Sequence, residues 1–338
     1  MACLDPFSKS MRNPANNLVT TTHCETAGDF IAALSPRAPT YRSAFPGGWI
    51  FRGHGDDTFP LVPSALRDES KELLELTLSQ IGNTKEQQWS EHRVLADFLN
   101  VSDSIGLYIP EDTQKLRRSF EFGAERPALW PPDEVLSLMA LAQHHGVPTR
   151  LLDWSRHPLK AALFAASGAL KAKDKSGRLS VWALSIEKFE MLGGGPPKPF
   201  TVITAPSATN SNLRAQEGVF TLALHVKIDE SPVDRTPFDE ILRAWVARYR
   251  VQALGVWFHH LTLPRTEADQ LSYDLALEGI TRARLFPDFY GVVKAMRDAA
   301  RWHADGGPGA KRAKEQLESS SMTYQTTVNL HLGPTPPD

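Results

Sequence analysis

Two cysteines, Cys3 and Cys24, are the whole thiol complement of 338 residues, and both stand near the N-terminus. So small a supply excludes a disulfide scaffold and a cysteine-based zinc site, and makes a reducing cytoplasm the expected setting. Long apolar runs are also missing. None approaches the ~20 residues that span a bilayer, so no membrane partner is expected. The opening Met-Ala-Cys-Leu-Asp-Pro-Phe lacks a basic segment followed by an apolar core, and a secretion signal is not expected either. Neither sign of charge prevails. With a formal net charge of −2, the chain has no overall pull toward nucleic acid, and a polyanionic substrate has to be met by a local patch. A glycine-rich P-loop, a Gly-x-Ser-x-Gly elbow and a His-Glu-x-x-His zinc motif are all absent. His259 and His260 are neighbours in a strand-like segment, so they face opposite ways and cannot chelate one metal together. No metal site is expected.

What remains is an ordinary globular composition, 41% hydrophobic and 22% charged, with length for one large domain or two small ones. The first 24 residues carry Asn-Pro, Asn-Asn and a Thr-Thr-Thr run and read as a loose arm; residues 306–338 read as a frayed tail. A single domain is expected over 25–305. It opens with a helix over 27–34 and a linker or turn over 36–42. Residues 68–143 are mainly helical. Leu73, Leu74, Leu76 and Leu78 support one segment, and Trp89, Val94, Leu95, Phe98 and Val101 form the broad face of a longer one from about residue 84. A shorter helix is placed over 114–122. No flexible linker bounds this stretch, so it reads as a helical insertion within the domain. Strands are expected over 179–186, 219–226 and 256–263. The Gly- and Pro-rich run 192–199 admits no regular structure. Residues 238–251 fit either helix or extended chain. Thr266 and Asp269 have capping-box spacing (with Asp where Glu or Gln is usual) before a helix to Glu278. Gly279 ends it, and a last helix covers 290–304.

The densest run of chemically capable side chains is Gln143-His144-His145-Gly146-Val147-Pro148-Thr149-Arg150-Leu151-Leu152-Asp153-Trp154-Ser155. Helices flank it. Val135, Leu138, Met139 and Ala142 fall at i, i+3, i+4 and i+7, and Leu159, Ala162, Leu163, Ala166 and Leu170 form a similar face. Gly146 is placed to end the first helix in a left-handed turn. Ser155 is placed to cap the second, with Pro158 early enough in it to be tolerated. Residues 150–154 between them read as extended. Catalytic and binding residues favour loops pinned in this way. A second stretch, Pro46-Gly47-Gly48-Trp49-Ile50-Phe51-Arg52-Gly53-His54-Gly55, begins as a strand. Alternation sets Trp49 and Phe51 on one face, Ile50 and Arg52 on the other. A guanidinium sharing a face with isoleucine is partly buried and needs an anion. The surrounding glycines let a ligand approach the backbone. The anion is either that ligand or an internal carboxylate.

These stretches carry a family resemblance. Phe51-Arg52-Gly53 after a strand resembles the signature for which the FRG domain is named. The run 143–155, followed by Pro158 and Ala162-Leu163-Phe164-Ala165, resembles that family's longest motif. Arg214-Ala215-Gln216-Glu217-Gly218-Val219-Phe220-Thr221 and Gly279-Ile280 through Leu285-Phe286-Pro287-Asp288 resemble its later ones, and His145 stands where an aromatic is common. More distantly, an aromatic-Arg-Gly strand followed by a loop entering an Ala-Leu-Phe-Ala helix is similar to the first half of an ADP-ribosyltransferase site. That resemblance implies an α+β fold, with a mixed or antiparallel split sheet and the helical insertion. It implies cleavage of NAD at the nicotinamide–ribose bond and transfer of ADP-ribose to a macromolecular acceptor, whether RNA, DNA or protein. NAD is then the substrate, with no metal. Arg52, Gly53 and His54, with Thr149 through Trp154, are implied in holding NAD, and Glu217 or its neighbour Gln216 in supporting the reaction. Family context implies an intracellular bacterial toxin or anti-phage effector, and leaves room for a neutralising antitoxin partner.

The chemistry suits these residue types. Breaking the nicotinamide–ribose bond develops oxocarbenium character, as glycoside hydrolysis does, and Asp153 or Glu217 supplies a stabilising carboxylate. Arg52 or Arg150 offers the forked donors a pyrophosphate needs. Trp154 offers a flat wall for nicotinamide or adenine. His54, His144 or His145 offers a proton acceptor. Each has a plainer reading. Arg150 and Asp153 make an ion pair that fixes the loop, His144 and His145 favour a helix C-terminus in any case, and Trp154 is a core residue. Arg235, Arg243, Arg248 and Arg250 form a nucleic-acid patch or merely a solvated face. Two other function classes compete. One is a non-catalytic nucleotide or nucleic-acid binding module; the other is an NAD glycohydrolase that releases nicotinamide without transfer.

Overall fold

In the computed structural model, residues 18–35, 37–41, 47–68, 71–75, 81–121, 129–191, 197–204, 211–223, 226–227, 229–249 and 256–319 are described. The strands in chain order are β1 (Val19–His23), β2 (Trp49–His54), β3 (Leu129–Trp130), β4 (Leu152–Ser155), β5 (Arg178–Ser185), β6 (Phe200–Ile203), β7 (Gly218–Ala223), β8 (Val226–Lys227) and β9 (Phe258–Pro264). Seven of them form one sheet in the order β1-β9-β5-β2-β4-β7-β6, while β3 and β8 make a separate two-stranded ladder. Pairing in the large sheet is antiparallel except for β1 with β9, so it is a mixed sheet. The helices are α1 (Ala27–Leu34), α2 (Lys71–Leu74), α3 (Thr84–Ser104), α4 (Gln114–Arg118), α5 (Leu136–His144), α6 (Pro158–Lys171), α7 (Glu187–Met191), α8 (Ser211–Gln216), α9 (Phe238–Tyr249), α10 (Ala268–Leu277), α11 (Arg282–Leu285) and α12 (Phe289–His303). Among the described residues no helix is long and apolar enough to cross a membrane.

Period-two alternation sorts the strand residues into two cores. Trp49 and Phe51, with Leu179, Val181, Ala183, Leu261 and Leu263, face α1, α6 and α10. Ile50, Leu152, Trp154, Trp182, Leu184 and Phe258 face the other way, against α7 and α9. A third core joins the helical lobe to the sheet: Leu95 and Leu99 of α3 and Leu138, Met139 and Ala142 of α5 close over Ile203, Phe220 and Leu222. The expected α+β architecture, with helices inserted between β2 and β4, is what the chain adopts.

Helix α6 lies unusually close to β2, and glycine allows it. A Cβ on Gly53 would sit 2.0 Å from the Ala161 carbonyl oxygen, and one on Gly55 would sit 2.5 Å from the Gly168 carbonyl carbon. The backbone that approaches these glycines is therefore α6 itself, while Gly53 also lines the cavity between α5 and α6. Ala161, Ala162, Ala165, Ala166 and Ala169 are all buried in this contact.

Several local expectations change. Residues 19–23 of the arm form β1, which pairs with the open edge of β9 while Leu18 is fully buried beneath it. The four residues 20–23 are exposed and polar, so no alternation betrayed the strand. Residues 1–17 lie outside the described residues, as does the Gly-rich 192–196. The segment left open between helix and strand is α9, with Phe238, Leu242, Trp245 and Val246 on one buried stripe. The capping box at Thr266 does not form. Glu267 sits at the N-cap of α10 without a side-chain cap bond, and its Oε2 accepts instead from the Ala27 amide at 3.1 Å. Part of the tail, residues 308–319, is helical; residues 320–338 lie outside the described residues.

The seven-stranded sheet is most weakly joined in its middle. The step from β2 to β4 rests on the single pair Phe51–Ser155. Continued antiparallel pairing would set Gly53 opposite Asp153, but there the two strands part, and the gap is where the candidate site lies.

Candidate functional site

The run 143–155 is pinned as its helix signals predict. Helix α5 stops at His144, Gly146 takes φ +91°, and the Val147 amide donates back to the Ala142 carbonyl at 3.0 Å. Thr149 then locks the corner. Its amide donates to Ser64 Oγ at 3.1 Å, its carbonyl accepts from the Ala65 amide at 3.0 Å, and its hydroxyl donates to Gln143 Oε1. At the far end the helix cap differs from expectation. Ser155 belongs to β4, His157 holds the N-cap position of α6 with Pro158 as first residue, and Ser155 Oγ accepts from the His157 amide at 3.0 Å.

Arg52 leaves β2 and reaches into the gap. Its side chain is 12% exposed. Nε donates to His54 Nε2 at 2.9 Å, and Nη1 donates to the Asp153 carbonyl at 2.7 Å and to Asp153 Oδ1 at 2.5 Å. The half-buried arginine has thus found an internal carboxylate, one of the two anions the sequence allows. That carboxylate is itself 62% exposed and also receives Gln143 Nε2 at 3.3 Å. Desolvation opposes its ionisation, but the Arg52 charge and hydrogen bond outweigh it and hold the Asp153 carboxyl below the usual range. His54 is buried, and desolvation, reinforced by the charges of Arg52 and Arg67, pushes its imidazole down to about 3. It is a neutral ring that accepts at Nε2, so its proton rests on Nδ1.

A cavity opens on each side of this cluster. One, of about 270 Å³, runs between α5, α6 and the start of β7. Phe51, Ala140, Leu141, Phe164 and Phe286 give it apolar walls, with Ser137, His144 and Gln216 as polar points. The other, of about 250 Å³, is bounded by Ser64, Arg67 and residues 146–148. Arg52, Gln143 and Asp153 belong to both. They form a shared wall between an apolar chamber and a polar one.

The remaining expected site residues separate. Arg150 does not line the apolar cavity. It is buried and pairs through Nε with Glu91 Oε2 at 2.7 Å, and the same carboxylate accepts from Trp130 Nε1 and Gln87 Nε2 at 2.7 Å each. It fixes the loop to α3, so the ion pair expected with Asp153 is made with Glu91 instead. Trp154 touches the cavity wall, yet its indole is buried in the second core, where Nε1 donates to Thr221 Oγ1 at 2.9 Å; it is no stacking platform. Thr149 is buried and positions Gln143 without lining the apolar cavity. His145 is exposed at the end of α5 and outside both cavities; its neighbour His144 lines the first. Desolvation and the charge of His145 lower the His144 pKa, with Asp288 opposing them. Of the pair 216–217, Gln216 lines the cavity and donates through Nε2 to the Leu285 carbonyl at 3.3 Å. Glu217 does not: in a left-handed backbone (φ +49°) it turns away to Lys160 Nζ at 2.7 Å.

The described arginines of the expected patch each have a neighbour of their own. Arg235 pairs with Asp68 at 2.7 Å, Arg243 with Asp239 at 3.9 Å, and Arg248 lies over the Tyr249 ring; Arg250 is outside the described residues. His259 and His260 do face opposite ways, the first toward Tyr41 and Trp49, the second stacked on Trp182 at 4.1 Å. The sequence alone assigns no role to the aromatic walls of the cavity, although Phe51, Phe164 and Phe286 each stand inside an FRG-like motif. Their signal was the motif, not any property of phenylalanine.

Residues 47–174 match the family model of the FRG domain. The match runs from β2 through α6, so it contains Arg52, Gln143 and Asp153 but stops before Gln216 and Phe286. No curated protein and no solved structure matches the chain.

Proposed function

We propose that the gap beside the Phe51–Ser155 pair of this FRG-domain chain binds NAD and that the protein is an ADP-ribosyltransferase. The carrying observation is the shared wall: Arg52 and Asp153 stand together between an apolar chamber and a polar one. NAD has the matching order of parts, a flat apolar ring, a ribose, then a diphosphate. In this reading nicotinamide enters among Phe51, Phe164 and Phe286, where aromatic edges and faces suit a planar ring. The diphosphate draws the Arg52 guanidinium, whose fork fits phosphate oxygens. Asp153, held ionised, lies at the ribose.

The bond from ribose C1′ to the nicotinamide nitrogen breaks, and its electron pair leaves with nicotinamide. Positive charge grows on the sugar and is met by the Asp153 carboxylate. The acceptor nucleophile then forms the new bond to C1′ and gives up its proton. His144 suits that proton, since desolvation lowers its pKa and favours the neutral imidazole. Gln143 and Gln216 hold orientation through their amides. A cytoplasmic setting, as a bacterial toxin or anti-phage effector, goes with this reading and rests on family context alone.

One observation favours a second reading. Arg52 already has a carboxylate partner, as a static nucleotide-binding module would allow. Labelled NAD incubated with the protein and a cell extract separates the cases. Label in macromolecules together with free nicotinamide supports transfer. Nicotinamide without incorporation means a glycohydrolase, and retained nucleotide with neither means a binding module.

A further inference from the structure

We propose that the outward face of α12 is the docking surface for a protein partner that presents an acidic amphipathic helix. Phe289, Val292, Val293 and Met296 recur at i, i+3, i+4 and i+7, and all four are exposed, Phe289 by 91%. A stripe of this spacing normally turns toward a core. Here Gly291 and Asp298, on the opposite side, are the buried residues of the helix. Single exposed apolar side chains need no explanation, but a contiguous helical set does. The helix that carries it is firmly held. Asp288 Oδ1 caps it by accepting from the Gly291 amide at 2.7 Å, and Arg301 ties it to Asp269 at 2.6 Å.

Charge selects the partner. Tyr290 borders the stripe, with Lys294 Nζ 3.8 Å from its ring centroid and Lys171 and Arg297 near enough to act on its phenol. The acid within α12, Asp298, is buried between Arg282 and Arg301. Lys171, Lys294 and Arg297 thus give the stripe a cationic border on the Tyr290 side, while the exposed Asp288 at the N-cap is engaged by the Gly291 amide. A second copy of the chain would bring Lys171, Lys294 and Arg297 against their counterparts, and like charges disfavour that contact. A bilayer meets the whole molecule, whose net charge is −2, whereas a docked helix meets only the stripe and its border. Nucleic acid would use the aromatic rings and leave Val292, Val293 and Met296 without a role. An amphipathic helix with apolar anchors and flanking Asp or Glu uses all of these features.

The position adds a consequence. Phe286, in the turn just before α12, lines the apolar cavity, and Asp288 is near enough to His144 to act on its charge. A partner seated on α12 thus lies next to a residue of the cavity wall. The inference stands apart from the transferase reading, because docking is measured without turnover.

The test uses the full chain and a fluorescent, roughly 18-residue helical peptide of Leu and Glu, long enough to hold a helix when bound. Anisotropy should show saturable association. Met296→Glu or Arg297→Glu should weaken it about tenfold or more at unchanged Tm, and a Leu/Lys peptide should not associate. Absence of saturation, or equal binding by both variants, overturns the proposal. So does a preference for phosphatidylserine vesicles or single-stranded RNA that Met296→Glu removes. A dimer in sedimentation that Met296→Glu dissolves would assign the face to a second copy instead.

Discussion

The Asp153 carbonyl, on β4 where it parts from β2, accepts from Arg52 Nη1 at 2.7 Å, and the same nitrogen lies 2.5 Å from the Asp153 carboxylate. One guanidinium closes the parted strands on their backbone while its charge stays at the meeting of two cavities. A residue so placed has both a structural and a chemical use, and substitutions can separate them.

Asp153→Asn keeps the shape of the wall and removes its negative charge. On the transferase reading NAD turnover falls about 10²–10³-fold, the scale for losing one preorganised electrostatic group. Nucleotide retention holds or tightens, since nothing then competes for Arg52. Equilibrium dialysis and nicotinamide release, run on one preparation, measure both. Wild-type turnover in this variant would remove Asp153 from the chemistry.

Arg52→Ala should abolish turnover and still fold. The freed carbonyl and lost hydrogen bonds cost about 1–3 kcal/mol, visible as a lower Tm in a cooperative transition. Loss of the transition altogether would make Arg52 a structural residue first. Arg52→Lys keeps the charge without the fork and should recover stability better than activity.

Arg150→Ala addresses the opposite assignment. It strands Glu91 in the interior, and breaking a buried pair from one side costs about 3–5 kcal/mol. Urea unfolding reads the loss. Replacing Arg150 and Glu91 together by Met should cost less than the single change. NAD turnover per folded molecule should survive; its collapse in a folded double variant would return Arg150 to the site.

Gly53→Ala places a methyl 2.0 Å from the Ala161 carbonyl oxygen, a contact relieved only by moving α6 off β2. Overpacking of this kind costs about 1–3 kcal/mol or more. A variant that unfolds at the wild-type urea midpoint would show that α6 shifts freely.

Acid should weaken the fold in a defined window. Burial pushes His54 to about 3 and His259 and His260 to about 4, against 6.5 when the ring is free. Below pH 6.5 the unfolded chain takes up protons that the folded chain refuses, so stability is full above 6.5 and falls as pH drops toward 4. Each such histidine adds a slope of about 1.4 kcal/mol per pH unit. Urea titrations at several pH values should show His54→Gln flattening that slope by about one proton. An unchanged slope would mean that His54 titrates normally.

Part of the candidate site was legible because local rules acted alone. Phe51-Arg52-Gly53 and the 143–155 run marked the place, and alternation along 49–52 put Arg52 on the face where it is found. Gly146 ended its helix as its backbone freedom allows. The partners of the charges were not legible. Asp153 and Arg150 are three residues apart and look like a pair, yet they join Arg52 and Glu91, which lie far away along the chain. Which carboxylate reaches which guanidinium depends on the distance between folded elements, and sequence spacing carries no such distance.

By itself, then, the sequence determined the α+β class, the helical insertion, most strand and helix positions, and the two stretches that meet at the site. These follow from periodicity, glycine and proline, which act within a few residues. Tertiary structure alone decided that the sheet parts beside Phe51–Ser155, that Gly53 serves helix α6, that Gln216 faces the cavity while Glu217 turns to Lys160, and that β1 adds to the edge of β9. Each of these depends on how closely distant backbones pack. That closeness comes from the burial of all three cores together, not from any one segment.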